Sequence, residues 1–316
     1  MRRYLLQRLG QALVVLWAAY TATFLILNLL PSNPVALRLS GANVQVQDLT
    51  PAQLAQMEAQ YGLNRPLVEQ YFSMLWDALH LNFGTSTSLS LPVSTVLAQR
   101  LPTTLTLAAL AVVFMLILGF TVAYAAAWVQ WRPAKALLTR LPAIGVSVPS
   151  FWVGLLLIQL FSFDLGWFPS TGSSTPSSYV LPAVSMALPA GAVLAQVLTS
   201  SFERTLREPY ITTAKAKGLT RGAIQFRHAL RNAALPTLTL LGLLIATAAT
   251  GAVIAETVFS ISGVGRLAQQ AVLSQDVPVV QAIVLVAAVV FVGVNLLVDL
   301  LYPLLDPRIA HTPKVV

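Results

Sequence analysis

YITTAKAKGLTRGAIQFRHALRNAALP, residues 210–236, holds five Lys/Arg, one His and no acid, inside a chain that is 56% hydrophobic and only 9% charged. Burying five cations at the centre of a membrane helix would cost about 2.5–3.5 kcal/mol each, so this stretch stays out of hydrocarbon. The rest of the chain does the opposite. A mean hydropathy of +0.74 and an apolar content above the ~45–50% of soluble domains specify an integral membrane protein.

Working outward, six runs reach the roughly 20 residues needed to cross ~30 Å of hydrocarbon: about 9–30, 103–129, 141–161, 180–200, 236–258 and 281–303. The first exceeds the ~7–15 residues of a secretory h-region and no small-x-small site follows closely, so it is expected to remain as a span. With the N-terminus inside, fifteen of the nineteen Lys/Arg fall on cytoplasmic segments: Arg2, Arg3 and Arg8; Arg132, Lys135 and Arg140; seven from Arg204 to Arg231; and Arg308 and Lys314. The other side holds four: Arg38, Arg65 and Arg100, in a connection of about 70 residues that is too long to weigh heavily, and Arg266. Both termini and the 210–236 stretch are therefore expected in the cytoplasm. The net charge of +8 is a product of topology, and nucleic acid is not an expected partner. Cysteine is absent, which excludes disulfides and thiol catalysis.

The architecture expected is all-α. It runs as an N-terminal end and first span (1–30), an extracytoplasmic helical cap (31–101), and a five-helix core (102–316) with a cytoplasmic loop at about 201–235. In the cap, Thr50 and Gln53 have capping-box spacing and Pro51 suits a first helical position, with Leu54, Met57 and Tyr61 on one stripe. A second helix follows from Pro66, with Leu67, Tyr71, Met74 and Ala78 as its stripe. This cap is either a structural lid or a docking surface for an external partner.

Within the spans, Pro142 with Pro149, and Pro182 with Pro189, stand two turns apart. Each proline is expected to bend its helix. Such helices line a translocation pathway or are ordinary kinked members of a bundle; Pro149 and Pro189 are the pathway candidates. Among polar residues at membrane depth, Glu256 near the end of the fifth span and Asn295 in the sixth join that list, with Asp299 one turn beyond Asn295. Ionisable groups there are functional candidates by default, against structural pairing or snorkelling as the plain alternative.

The opening stretch has legible punctuation. Pro209 fits a first helical position, Gly218 a left-handed C-terminal one, and Thr220 an N-cap. Two short helices with a tight corner result. In the second, Ala223, Phe226 and Leu230 share a face, flanked by Arg227 and Arg231. A helix lying on anionic membrane lipid would satisfy the charge pattern, but it needs no corner, whereas a knob that plugs into a partner protein needs a fixed shape.

At these residues the chain resembles the cytoplasmic EAA-type loop of binding-protein-dependent ABC importer permeases, in the dipeptide, oligopeptide and nickel branch. The resemblance extends to MRRYLLQRLGQALVVL at the start, YGLNRPLVEQY and NFGTS in the cap, LPTTLTLA entering the second span, and ETVFSISGVGRLAQQAV and PVVQAIVLVAAVVFVGVNLLVDLLYPLLDPRI near the end. It implies a type I importer fold with six transmembrane helices, a helical segment between the first two, and coupling helices between the fourth and fifth. It also implies a multi-pass place in the bacterial inner membrane. The coupling residues would be Tyr210, Thr213, Ala214, Lys215, Ala216, Lys217, Gly218, Leu219, His228, Ala229, Leu230, Arg231 and Asn232. They would catalyse nothing. The implied partners are a second homologous permease, two cytosolic ABC ATPases that bind ATP and Mg, and an extracytoplasmic solute-binding protein. The solute would be di- or oligopeptide, with nickel, metal chelate, glutathione or haem as alternatives. Thr212 replaces the Glu that names the motif, the Gly218–Pro236 segment is longer than in sugar permeases, and Ser262 stands where relatives often carry Pro.

Other classes fit less well. A P-loop needs Gly-Lys-Ser/Thr, and the chain contains no Gly-Lys dipeptide, so ATP falls to other subunits and no cofactor is expected here. A secondary transporter would want a buried acid pair or rings of charge. An intramembrane enzyme would have only His80, His228 and His311 to work with, and neither a zinc motif nor a Gly-x-Ser-x-Gly elbow is present.

Overall fold

The computed structural model describes residues 2–29, 50 and 65–305. The helix expected over Pro51–Tyr61 lies outside the described residues. The elements run α1 (Arg2–Leu29), α2 (Leu67–Leu79), α3 (Val93–Trp128), α4 (Arg132–Ser147), α5 (Ser150–Leu157) with a π-helical extension (Ile158–Asp164), a 3-10 turn (Pro176–Tyr179) and α6 (Val180–Thr205). They continue as α7 (Pro209–Ala216), α8 (Arg221–Ala223), a π-helical turn (Ile224–Ala229), α9 (Leu230–Val258), α10 (Val264–Leu273) and α11 (Val277–Leu305). Among the described residues no strand forms beyond the single antiparallel bridge between Thr85 and Pro92.

Among the described residues, five helices can cross a membrane by length and composition, or six if α4 and α5 together make one span. The third span is thus corrected from one helix over 141–161 to two helices bent by 100°. The break sits at Val148 and Pro149, both extended, with ψ of 124° and 135°. Pro149 pushes the residue before it out of the helical region and has no N–H to continue the ladder. The other three prolines do not break their helices. Pro142 is buried within α4, Pro189 lies inside α6, and Pro182 sits in the first turn of α6, where its missing N–H would be unsatisfied anyway. Helix α3 starts at Val93 and carries Pro102 inside it, so residues 93–101 belong to the same helix as the second span.

The chain divides into two compact units, residues 1–104 with 262–293 and residues 105–261 with 294–316. In the first, Val93, Val96 and Leu97 of α3 pack with Val264, Leu267 and Ala271 of α10 and Val279, Ala282 and Ile283 of α11. Thr104 Oγ1 accepts the first amide of α10, from Val264, at 2.8 Å. Buried Asp276 caps α11 and ties it to a distant turn. Its carboxylate accepts from Ser86 Oγ at 2.5 Å, Ser88 Oγ at 2.7 Å and Ser88 N at 3.1 Å, and from Val279 N at 3.4 Å. Burial pushes this carboxyl up, yet the Ser86 and Ser88 donors outweigh it and hold the group below its ordinary 3.8.

In the second unit α6 is the central helix, packed on α4, α5 and α9. Small residues permit the close approach. A Cβ on Gly145 would lie 2.8 Å from Ala192 Cβ, and one on Gly119 would lie 2.6 Å from Leu194 Cδ2. Without water to drive helix association in lipid, such backbone proximity is what holds a bundle together. Leu107, Leu181, Phe259 and Ile261 form one cluster of this core and Leu198, Phe202, Ala229 and Ala233 another. Lys135 of α4 meets Glu203 of α6 at 3.2 Å.

Candidate functional site

The 210–236 stretch folds as its punctuation predicts. Pro209 is the first residue of α7, preceded by an extended Glu208. At the far end Gly218 takes φ +76°. Its N–H donates to Lys215 O at 3.0 Å and that of Leu219 to Ala214 O at 3.3 Å. This paired closure is a Schellman motif, completed by apolar contact of Leu219 with the Ala214 cluster. Thr220 then caps α8, its Oγ1 accepting from Ala223 N at 3.4 Å.

The corner is anchored from inside. Ile211, Ala214 and Ile224 are buried together, with Leu206 and Leu219 against them. Asn232 Nδ2 donates to the Tyr210 hydroxyl at 2.8 Å and to His228 O at 3.3 Å, so two residues 22 apart tie α7 to α9. Thr212, Thr213, Lys215, Ala216, Lys217 and Gly218 stay exposed, as do Arg227 and Arg231. Of the coupling residues expected from sequence, Ala214, Leu219, Ala229 and Leu230 turn inward and build the corner, while the Lys215 to Gly218 edge presents it.

One expectation is corrected. The stripe Ala223, Phe226, Leu230 assumed a regular α-helix, but the π-helical turn at Ile224–Ala229 carries an extra residue and rotates the faces. Ile224, Gln225, Ala229 and Ala233 are the buried set. Phe226 is exposed, its ring 4.7 Å from that of Tyr124. The helix also does not stop before the fifth span. It runs through the π turn into α9, past Pro236.

Sequence reasoning missed the seat of this corner. The carbonyl of Ala127, in the last turn of α3, accepts from Arg221 Nη2 at 3.1 Å and from Gln225 Nε2 at 2.9 Å. Helix C-terminal carbonyls lack intrahelical donors and take such partners readily. The Arg221 guanidinium also lies 5.3 Å from the Trp128 ring, within cation–π range. The i, i+4 spacing of Arg221 and Gln225 was the available signal; their acceptor is a backbone atom and left none.

Of the pathway candidates, Pro189 lines a mostly apolar cavity of about 290 Å³ together with Ser150, the residue after Pro149, and Met186, Thr247 and Gly251. Glu256 and Asn295 are not among its walls. Glu256 is fully buried in α9, where its carbonyl accepts from Ile261 N at 2.8 Å. Asn295 is half-buried on α11. Among the described residues no group of three or more His, Asp or Glu could hold a metal ion.

Comparison with known proteins bears on this geometry. Residues 119–311 match the family described as binding-protein-dependent transport system inner membrane component, and residues 1–108 match the N-terminal region of such membrane components. A peptide transport system permease protein of Brucella abortus (strain 2308) is 36% identical, with 98% of this chain and 100% of that protein covered. The glutathione transport system permease protein GsiC of Salmonella typhi is 35% identical over 98% of this chain and 100% of its own length. In fold, the chain is similar to an inward-facing structure of the MetNI methionine ABC transporter, with TM-score 0.58 at 14% identity, covering 67% of this chain and 96% of that one.

Proposed function

This chain belongs to the family of binding-protein-dependent transport system inner membrane components, and from that premise we propose that it is the permease subunit of an ATP-driven peptide importer. It is a multi-pass inner membrane protein with the type I importer fold, and it forms half of the pathway for di- and oligopeptides. The full-length similarity to a peptide permease supports that solute.

A second, homologous permease supplies the other half of the pathway, in a heterodimer. Two cytosolic ATPases bind and hydrolyse ATP with Mg, and an extracytoplasmic binding protein delivers the peptide. The termini face the cytoplasm, as the distribution of Lys and Arg favours. This chain transmits motion and catalyses nothing. The observation that carries the coupling role is the shape of the α7 corner: a Schellman-closed turn with Lys215 and Lys217 outward and its inner face fixed in the core. ATPase closure presses on that edge. Through the Tyr210–Asn232 bond the push reaches α9, and through Ala127 it reaches the end of α3. Both helices then move between outward- and inward-facing arrangements, with Pro149 and Pro189 beside the pathway.

Reversing the charge of the edge tests this directly. Lys215→Glu with Lys217→Glu is expected to strip the ATPases from the permease during purification while leaving its membrane abundance unchanged; undiminished co-purification would mean that the ATPases sit elsewhere. The GsiC relative favours glutathione as a second solute reading. Competition between a labelled dipeptide and glutathione for ATP-dependent uptake separates the two.

A further inference from the structure

The cavity beside Pro189 adjoins a closure. It holds about 290 Å³, with Ser150 of α5, Met186 of α6 and Gly251 of α9 among its walls, at the lower end of the ~300–1,000 Å³ of small-molecule sites. Ser150 and Met186 also line the next space, where Gly154, Ile254, Val258 and Phe259 close in until no room for a water molecule is left. Gly154 is one helical turn beyond Ser150, and Val258 two turns beyond Gly251. Helix α9 leads away from the α7 corner, so the closure lies toward the end of that span remote from the corner.

Two contacts make it. Phe259 is buried in one cluster with Leu107, Leu181 and Ile261. A Cβ on Gly154 would lie 3.1 Å from Phe259 Cε2 and 3.4 Å from Val258 Cγ1, so glycine lets the ring come close to the backbone of α5. The Phe259 carbonyl in turn accepts from Gly172 N at 2.9 Å. Gly172 belongs to the loop after the π-helical extension, where it and Gly166 hold φ of +85° and +64°. Ser260, which follows Phe259, has φ +52°, a strained conformation for a residue with a side chain.

Helix α5 therefore has a joint at each end. It starts at the extended Val148–Pro149 break, and beyond its π-helical extension comes a glycine loop bonded to Phe259. Hinges consist of such few residues at the ends of elements. A helix between two of them can tilt while α6 and α9 keep their places.

We propose that Phe259, seated against Gly154, is the extracytoplasmic gate this subunit contributes to the solute pathway, with the Gly172–Phe259 bond as its latch. The inference rests on the transport reading above, which puts the far end of α9 outside. On opening, α5 pivots at Val148–Pro149, Gly154 leaves the ring, and the cavity beside Pro189 becomes accessible from the outer face. Phe259 then acts by excluding solute, and its role is one of position and bulk.

Cysteine is absent from the chain, so introduced thiols report without background. A sulfur at the place of Val258 Cγ1 would stand 3.4 Å from a Cβ at position 154, within reach of a disulfide, whose Cβ atoms lie ~3.5–4.5 Å apart. In proteoliposomes with the ATPases and binding protein, oxidising Gly154→Cys with Val258→Cys is expected to abolish ATP-dependent uptake of a labelled dipeptide, and a reductant to restore it. Undiminished uptake by the oxidised variant overturns the gate. Should that variant fail to fold, Phe259→Cys is treated from the binding-protein side with a membrane-impermeant maleimide. Labelling is expected to quicken by at least ~10-fold when binding protein, dipeptide and a non-hydrolysable ATP analogue are added, because a minor open state of ~0.1–10% becomes the major one. Equal rates in the two conditions sink the proposal, as they would for a ring that merely fills the core. A parent complex that transports while both thiol experiments fail leaves the transport reading standing and removes the gate; a parent that takes up no dipeptide removes both.

Discussion

Gly218 is the position where a small change bears most directly on coupling. Its φ of +76° belongs to the left-handed region, and a Cβ built there meets no atom within 4 Å. Substitution therefore perturbs the backbone alone, without a clash to confuse the result. Holding an ordinary L-residue in that conformation costs about 1–2 kcal/mol, which lowers the population of the closed corner about 5- to 30-fold relative to open alternatives. Asn tolerates left-handed backbone, Ala less so, and β-branched Val least. In proteoliposomes containing the ATPases and binding protein, peptide taken up per ATP hydrolysed is expected to fall in the order Asn, Ala, Val, with Val lowest by about 5- to 30-fold. Membrane abundance should not change. If Gly218→Val transports as well as the parent, the corner is not the lever. If Gly218→Asn fails as badly as Val, side-chain bulk at a partner surface governs coupling and the backbone argument is wrong.

Arg221→Ala and Gln225→Ala remove two donors that share the Ala127 carbonyl, so their effects on the uptake-to-hydrolysis ratio should be non-additive by more than about 0.5 kcal/mol in a double-mutant cycle; simple additivity would show that the two contacts act separately. Asp276→Asn discards the charge that Ser86 and Ser88 surround and should destabilise the protein by about 1.5–3 kcal/mol at neutral pH, read as a lower thermal midpoint. Because the folded carboxyl is held below its ordinary 3.8, the stability it contributes is present above that value and fades as pH falls through the lower folded one. Parent and variant midpoints should therefore stay apart down to about pH 4 and converge only in stronger acid. Convergence already at pH 6 would refute the clamp.

The legible parts of the site were those written in consecutive residues. Pro209, Gly218 and Thr220 each impose a backbone constraint within one turn of themselves, and the structure places all three as expected. The face of the second short helix was not legible, because a π turn inserts a residue that a 3.6-residue period cannot anticipate. Pro149 announced a bend but not its 100° size, which depends on Val148 also adopting an extended conformation. In α2, Leu67 was expected on the inner stripe, yet it is exposed and Gln70 takes the buried place. Tyr71, Met74 and Ala78 of that stripe keep the inner side, and Gln70 joins Met74 and Ala78 in the wall of a cavity beside the helix.

By itself the sequence determined the membrane class, the approximate spans, the position of the cationic corner and the left-handed turn within it, because hydrophobic run length, charge cost and single-residue backbone preference act locally along the chain. Tertiary structure alone decided what the corner rests on and what locks the ends of the helices. Ala127 offers a backbone carbonyl that any residue would carry, and Ser86 finds Asp276 across 190 positions. Contacts of that kind depend on which helices come to lie side by side, and no local pattern encodes them.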